Sequence, residues 1–532
     1  MALFQLITAL LLIGAILTAW GRRLNLPYPA LLALAGAALA LLPRAPRVEL
    51  DPRLALVLFV APVLLNTAFD TSPRDLGFYW RPIAGLAIGA VIATVASVAV
   101  ATRWILPEVS WPVAIALGAI VAPSDATAAT AVISQLRPPH RLLVVIEGES
   151  LFNDAGALLI YRFAVAAAVT GAFNGWTVVP IVLLETVGSV VLAAVLARLS
   201  LAILVRIEDV ATSIIIQFLS TFAVWMLADA IGLSGIITVV VYAILVARRA
   251  PAVMPARLRI PSYAVWDVAV FVLNVLAFIL VGLQVRPILE HLSQFLLDRY
   301  WAAAAAICAA VILVRLAWIG GYAFVAKRLA PLRLNPRNPA TQPPTWRGAL
   351  LAGWCGMRGI VTLAAALALP DGANGTPAFP HRDFVIFAAF AVVLVTLVVQ
   401  GLTVRPLLIA LKLHDDGSVE REVWLARVAT AQAALATLPP ADGASDPHSP
   451  LRAQYELRAR HAEYVARTGT HDADDDAQAE RLIAERRRAQ TAERRALVDL
   501  RANGAIGDDA FHRVEEELDW ADLDLDGLAR EE

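Results

Sequence analysis

The sequence contains little cysteine and little charge for its length. It has 2 cysteines in 532 residues, and 17% of its residues are charged, against about 25% in an average soluble domain. So little cysteine excludes a disulfide scaffold, and we expect Cys308 and Cys355, which lie in apolar runs, to be packing residues. With 59% hydrophobic residues and a mean hydropathy of +0.67, the composition excludes a disordered chain and predicts a membrane protein.

Motifs of several enzyme classes are also missing. There is no G-x-x-x-x-G-K-[ST] loop of the kind that ATP-driven pumps use. The run from Gly148 to Phe152 lacks the second glycine of the G-x-S-x-G hydrolase motif, and the histidines lack zinc-binding spacing. We therefore expect a protein that is not an enzyme, holds no cofactor and binds no nucleic acid.

Charge divides the chain into two parts. Residues 415–532 hold 27 acidic and 15 basic residues, a net charge of −12, whereas residues 1–414 hold 18 acidic and 29 basic residues, a net charge of +11. This asymmetry predicts a membrane domain over 1–414 and a small, acidic, helical cytoplasmic tail over 415–532. Within the tail, helix-like stretches lie near 420–437, 451–468, 476–503 and 508–520, with breaks at 439–440 and 442–450.

Long apolar runs recur from the N-terminus to residue 411. Most of them exceed the ~20 residues that a helix needs to cross the hydrocarbon core of a bilayer. They predict an all-α polytopic membrane protein with about 13 transmembrane helices. The predicted spans are 3–20, 27–43, 54–70, 82–105, 111–135, 141–170, 177–205, 211–230, 232–247, 262–284, 301–326, 346–369 and 383–411.

The loops between these spans differ in positive charge. Loops after odd-numbered spans carry 16 Arg and Lys residues, and loops after even-numbered spans carry 7. Because positively charged loops stay in the cytoplasm, this bias predicts an external N-terminus and a cytoplasmic tail. We expect a multi-pass protein of the cell membrane, in contact with lipid.

Ionisable side chains occur inside several predicted spans. Each costs at least ~2.5–3.5 kcal/mol at bilayer depth, so such a residue is retained where it faces protein or water and serves a function. The informative residues are Asp125, Glu147, Glu149, Asp154 and Arg358, and further candidates are Glu185, Asp229 and Asp267.

Spans 5 and 12 are predicted to be interrupted helices. Pro123 should break span 5 beside Ser124 and Asp125, and three glycines surround Arg358 in span 12. If spans 2–6 and 9–13 are inverted repeats, the two breaks occupy matching positions, which is typical of a transporter's binding site. The simpler alternatives are a proline kink with Asp125 as a capping residue, and an Arg358 side chain that extends to the membrane surface.

Span 6 brings a group of polar residues close to Asp125. Ser150 and Asp154 lie four residues apart and share one helix face, and Glu149 and Asn153 form a second such pair. The oxygen-rich set favours a hard monovalent cation. A cation stabilises an ionised Asp154 whereas burial favours its protonated form, so cation and proton compete for one carboxylate.

Glu147 could equally be an acid that favours the helix N-terminus. Arg358 is interpreted as a fixed counter-charge, with Glu149 as its partner.

Several motifs together resemble the sodium/proton exchanger family, in its electroneutral branch marked by Asn-Asp. They cover most of residues 1–411 in order, and part of the tail resembles the bacterial branch near Leu500 and Phe511. The matching segments are Ala122–Asp125, Gly148–Ala155, Phe271–Asn274, Val281–Gln284, Gly353–Gly359 and Val399–Thr403.

The resemblance implies a role for each site residue. Asp154 would bind cation and proton alternately, with Asn153 as its neutral neighbour. Asp125, Ser124 and Ser150 would line the same cation site, while Glu149 and Arg358 would be structural partners. The family usually has Thr in place of Ser124 and often has an acid at the position of Asn66, which makes Asn66 a possible accessory residue.

The resemblance also implies a homodimer and an elevator-like cycle. The function predicted is exchange of a monovalent cation, Na⁺ first and Li⁺ or K⁺ as alternatives, for H⁺. A cation channel and an intramembrane aspartyl hydrolase that uses Asp125 and Asp154 are the alternative readings.

Overall fold

The protein is described by a computed structural model. It describes residues 2–24, 26–43, 51–133, 136, 138–171, 175–290, 297–333, 344–372, 377–438, 449–468, 473–503, 505 and 508–529. The chain divides into two compact units, Met1–Asp415 and Asp416–Glu532. All regular secondary structure in the described ranges is helical, which confirms the predicted all-α class.

The described residues of the first unit form twenty α-helices, with π-helical turns at Leu56–Val60, Gly85–Ala90 and Thr396–Gln400. The first ten helices are α1 Ala2–Leu24, α2 Tyr28–Ala40, α3 Pro52–Ala55, α4 Ala61–Asp70, α5 Pro73–Phe78, α6 Trp80–Ala84, α7 Val91–Ile105, α8 Trp111–Val121, α9 Ala126–Ile133 and α10 His140–Thr170. The second ten are α11 Gly175–Leu204, α12 Val210–Ala230, α13 Gly235–Val253, α14 Ala256–Leu283, α15 Val285–Glu290, α16 Leu297–Arg333, α17 Trp346–Trp354, α18 Ile360–Leu367, α19 Arg382–Val395 and α20 Gly401–Leu411.

Eleven helical segments in the described ranges are long and apolar enough to cross a membrane. The other two predicted spans correspond to α2, an apolar helix of 13 residues, and to α17 with α18, which are separated by a break. The structure therefore supports a polytopic protein, but helix length alone does not establish the count of thirteen.

Many large apolar side chains point outward from these helices. Leu184 is 71% exposed, and Leu219 and Phe324 are each 61% exposed. Extended apolar surface of this kind is unfavourable in water and suits the hydrocarbon of a bilayer. The buried core lies on the inner faces of the same helices, where Leu117, Ile120 and Ile307 are at most 1% exposed.

Both predicted interruptions are present. The backbone leaves the helix between Val121 and Ala126, where Pro123 lacks the amide that would continue the helical hydrogen bonds. It leaves the helix again between Trp354 and Ile360, the segment that contains Gly356 and Gly359. By contrast, α10 is continuous for 31 residues and ends at Gly171, whose φ of 70° caps the helix in the left-handed region.

In the second unit, Asp416–Glu532, the part of the chain that the structure describes forms four helices. They are α21 Ser418–Thr437, α22 Ser449–Thr468, α23 Ala473–Ala502 and α24 Asp508–Ala529. Trp424 packs with Ala462 and Val465 between α21 and α22, and Arg501 lies 4.4 Å from the ring centre of Phe511 between α23 and α24. The helices overlap the four predicted stretches, but α24 continues beyond the predicted end at 520, and residues 449–450, predicted to lie in a break, belong to α22. Residues 439–448 lie outside the described residues.

Candidate ion-binding site

The two interrupted helices meet at their breaks. The amide of Asp125 donates a hydrogen bond of 2.7 Å to the carbonyl of Met357, which joins non-helical backbone from each segment. Gly359 allows this approach, because a Cβ at that position would overlap Oδ2 of Asp125. Four helix ends, from α8, α9, α17 and α18, therefore meet in one region. The first amides and last carbonyls of a helix have no partner inside it, so other residues must form hydrogen bonds with them.

We expect Gly359→Ala to lower the maximal exchange rate by about 10- to 100-fold, because an added methyl group would displace the Asp125 carboxylate. Gly320→Ala is the matched control, since a Cβ at Gly320 meets no atom within 4 Å. Transport measured in vesicles at equal protein content checks this. Equal rates for the two variants would show that the contact between the breaks does not limit transport.

The two carboxylate oxygen atoms of Asp125 have different surroundings. Its Oδ1 accepts hydrogen bonds from the amides of Thr127 at 2.9 Å and Ala128 at 3.4 Å, and so caps the N-terminus of α9. Its Oδ2 lies on the side of Gly359. The capping interpretation therefore describes one oxygen, and the second oxygen is outside that cap.

Polar side chains of α10 hold the first break in place. The hydroxyl of Ser150 donates to the carbonyl of Ser124 at 3.0 Å and accepts from the amide of Ala126 at 3.2 Å. The hydroxyl of Ser124 donates to Glu149 Oε1 at 3.0 Å and accepts from Asn153 Nδ2 at 2.8 Å. The predicted residues Ser124, Ser150, Glu149 and Asn153 thus form one connected network.

The predicted pairing of Arg358 with Glu149 is wrong. Glu149 pairs with Arg315 of α16: Arg315 Nη2 lies 2.7 Å from Oε2, and Nη1 binds Oε1. Arg358 instead donates from Nε to the carbonyl of Val121 at 3.0 Å and from Nη1 to the carbonyl of Gly356. Arg358 is held by backbone carbonyls because it lies within a break, next to the C-terminal end of α8, where carbonyls have no helical partner.

Arg315 is a functional candidate that sequence reasoning missed. It is 2% exposed, and its Nη2 also donates to the carbonyl of Ala352 at 3.3 Å, in the last turn of α17. Arg315 and Arg358 therefore place positive charge at the C-terminal ends of α17 and α8, where the helix dipole is negative. Arg315 is a lone arginine in the middle of the apolar run 301–326. It could have been selected as Arg358 was, because both are ionisable residues inside a predicted span.

Asp154 faces a small cavity beside this network. The cavity has a volume of about 50 Å³ and is lined by Asp154 and Ser150 of α10, Ser124 and Asp125 of the first break, and Gly359 of the second. Asp154 is 5% exposed and has no hydrogen-bond or ion-pair partner in the part of the chain that the structure describes. The volume exceeds the ~10–15 Å³ that one water needs, so the cavity can admit a small ion with water.

The opposite wall of the cavity is mostly apolar. It consists of residues of the α4 region and of α14, and its polar members are Thr67 and Asn274. Asn66, the predicted accessory residue, is not on this wall. Its Nδ2 donates to Asp70 Oδ2 at 3.3 Å, and it lines a second cavity of about 430 Å³ together with Asp70 and Asp267. A helix turns by about 100° per residue, so neighbours such as Asn66 and Thr67 face different cavities.

The remaining candidates lie outside the Asp154 cavity. Glu185 forms an ion pair of 3.4 Å with Arg162, and both line a third cavity of about 900 Å³ that also contains Asp229. Glu147 is partly buried in the first half of α10 and is not among the residues that line the Asp154 cavity.

Known proteins with similar sequences identify the family. Residues 8–410 match the family described as sodium/hydrogen exchanger, transmembrane. An uncharacterized Na⁺/H⁺ exchanger of Mycobacterium tuberculosis is 31% identical over 535 residues, which cover 98% of this chain and 96% of the relative. The chain belongs to the sodium/hydrogen exchanger family. The predicted family is thereby confirmed, and with it the class of transporter that exchanges Na⁺ for H⁺.

Other exchangers extend the comparison. The sodium, potassium, lithium and rubidium/H⁺ antiporter of Bacillus subtilis is 32% identical over 419 residues, which cover 75% of this chain and 60% of that protein. The solved sodium proton antiporter MjNhaP1 of Methanocaldococcus jannaschii superposes with a TM-score of 0.62 at 16% identity, over 77% of this chain and 97% of that structure. That likeness shows that the exchanger fold is shared.

Proposed function

We propose that this exchanger moves one monovalent cation, Na⁺ as the first candidate, against one proton, with Asp154 as the group that binds either. The observation that carries this proposal is the isolation of Asp154. It lines a small cavity and has no hydrogen-bond or ion-pair partner among the described residues, whereas Asp125, Glu149, Arg315 and Arg358 are all engaged by hydrogen bonds. A buried carboxylate with no partner is costly to keep charged, and either a proton or a cation removes that cost.

The charges around the cavity support a one-for-one exchange. Asp125, Asp154 and Glu149 supply three negative charges when ionised, and Arg315 and Arg358 supply two positive charges. One bound Na⁺ or one bound proton neutralises the cluster in the same way. Because the loaded protein then has the same charge in both halves of the cycle, exchange is electroneutral. The Asn153–Asp154 pair, which resembles the electroneutral branch of the family, supports the same conclusion.

The choice among alkali cations is open at this site. The ligands that the cavity offers are carboxylate, hydroxyl and amide oxygens, which suit hard monovalent cations as a class. The Bacillus subtilis relative is named for sodium, potassium, lithium and rubidium, so Li⁺ and K⁺ are included with Na⁺ as candidate substrates.

The transport cycle proposed is of the elevator type. The charged wall of the cavity comes from α9, α10, α18 and the two breaks, and the other wall from the α4 region and α14. Movement of the first group past the second would carry the ion with its ligands. We also propose a homodimer in the cell membrane, an external N-terminus and a cytoplasmic tail over 415–532, on the basis of the loop charges and the family resemblance.

Reconstitution into proteoliposomes tests the function. We expect an imposed Na⁺ gradient to move protons in the opposite direction, at a rate that does not change when the membrane voltage is clamped with valinomycin and K⁺. Repeating the assay with Li⁺ and K⁺ across a range of pH measures selectivity. Empty liposomes and a non-transported cation such as choline are the controls.

Two results would contradict the proposal. A cation flux that creates a voltage and moves no protons would indicate a channel. Cleavage of a membrane peptide that is lost on substitution of Asp125 or Asp154, without ion-coupled proton flux, would indicate the aspartyl hydrolase. The membership of a transporter family favours exchange over both.

A further inference from the structure

Thr362 is a buried residue of the cavity wall, and its hydroxyl forms no hydrogen bond within the described ranges. It lies on the first turn of α18, three residues after Gly359, and lines the same cavity as Asp154 and Asp125. Its side chain is fully buried, and Oγ1 has no hydrogen-bond partner among the described residues. A buried hydroxyl without a partner is costly, so its presence here requires an explanation.

The position of Thr362 in the helix explains why the hydroxyl is free. A threonine inside a helix usually bonds back to the carbonyl four residues earlier, as Thr67 does to Val63 at 3.0 Å and Thr396 does to Val392 at 2.8 Å. Four residues before Thr362 is Arg358, which lies in the break and outside the helix. The usual acceptor is therefore displaced, and the hydroxyl of a residue that lines the cavity is left without its ordinary helical hydrogen bond.

We propose that Thr362 Oγ1 is a ligand of the transported cation, supplied by the second interrupted helix. The other oxygen ligands, those of Asp154, Asp125 and Ser150, come from α10 and the first break. The wall formed by α18 otherwise presents Gly359, Ile360 and Val361 to the cavity. Thr362 is thus the side chain on that wall that carries an oxygen, and hydroxyl oxygen suits a hard cation.

This assignment predicts an effect on cation affinity. It rests on the proposed function, since it places the cation beside Asp154. Loss of one oxygen ligand should raise the KM for Na⁺ by about tenfold and leave the maximal rate nearly unchanged. The increase should be larger for Li⁺ and Na⁺ than for K⁺, because a charge and a dipole interact more strongly at the shorter distance that a small cation allows.

The test compares Thr362→Val with Thr362→Ser in proteoliposomes. Valine keeps the shape and removes the hydroxyl, whereas serine keeps the hydroxyl and removes the methyl group. We expect Thr362→Val to raise the KM for Na⁺ and Thr362→Ser to keep it near the wild-type value. An unchanged KM in Thr362→Val overturns the assignment, as does an equal increase in both variants, which would indicate packing. Thr362→Ala repeats the comparison if the valine variant does not fold.

A binding measurement without transport separates this inference from the proposed function. We expect Na⁺ to raise the thermal unfolding midpoint of the wild type and of Thr362→Ser in detergent, because a ligand that binds the folded state stabilises it. The same Na⁺ concentration should have little effect on Thr362→Val. If the wild type exchanges ions but Thr362→Val equals it in both assays, the inference alone is wrong. If the wild type shows no exchange and no Na⁺ response, the proposed function is wrong.

Discussion

Replacing Asp154 with asparagine is expected to abolish cation/proton exchange. The amide has nearly the shape of the carboxylate, but it neither titrates nor provides a negative charge for a cation. Loss of the one group that binds either ion should lower exchange by at least about 100-fold, which corresponds to about 2.7 kcal/mol. The measurement is Na⁺-driven proton flux in proteoliposomes with equal amounts of inserted protein.

The matched control for this variant is Asp229→Asn. Asp229 also lies within a membrane-spanning helix, but it lines the third cavity and not the one that contains Asp154. We expect Asp229→Asn to retain most of the exchange activity. Monodisperse elution of both variants excludes a general folding defect. Full exchange by Asp154→Asn would remove the proposed role of this carboxylate.

Breaking the Glu149–Arg315 pair is expected to have the largest effect on stability. Glu149 and Arg315 are 1% and 2% exposed, and two of their atom pairs are in contact. Arg315→Met leaves Glu149 as a buried charge without its cation, which typically costs about 3–5 kcal/mol. We expect a lower thermal unfolding midpoint in detergent and a reduced yield of folded protein. Glu149→Gln should act in the same direction, because it leaves Arg315 uncompensated.

Two comparisons distinguish this effect from a general loss of charge. The double variant Glu149→Gln with Arg315→Met should be more stable than either single variant, because it leaves no unpaired charge. Arg162→Gln breaks the pair with Glu185, in which the Arg162 side chain is 49% exposed, and should change stability by at most about 1 kcal/mol. Additive losses in the double variant would contradict a direct interaction between Glu149 and Arg315.

The helices and their interruptions followed from local properties of the chain. Apolar runs of sufficient length located nearly all the membrane helices, because the bilayer requires each span to satisfy its own backbone hydrogen bonds. Pro123 and the glycines around Arg358 located the two breaks, since each acts on the backbone at its own position. The number of complete spans was less certain, because α2, α17 and α18 are shorter than a bilayer core.

The residues of the candidate site were only partly predictable. Helical spacing placed Ser150 and Asp154 on one face of α10, and both line the cavity. The same reasoning could not find the partner of Glu149, because Arg315 is 166 positions away in the sequence and meets it only after the helices pack. The family resemblance made Asn66 a possible accessory residue, but in the structure its side chain donates a hydrogen bond to Asp70 and lines a different cavity.

The amino-acid sequence by itself determined the class of protein, the membrane helices, the two breaks and the acids that are candidates for ion binding. Each of these depends on hydropathy, on proline and glycine, or on spacing within one helix. Only the tertiary structure decided that the breaks touch at Asp125 and Met357, that Arg315 neutralises Glu149, and that no described residue bonds to the Thr362 hydroxyl. These are contacts between distant segments, and they depend on how the helices rotate and pack against one another.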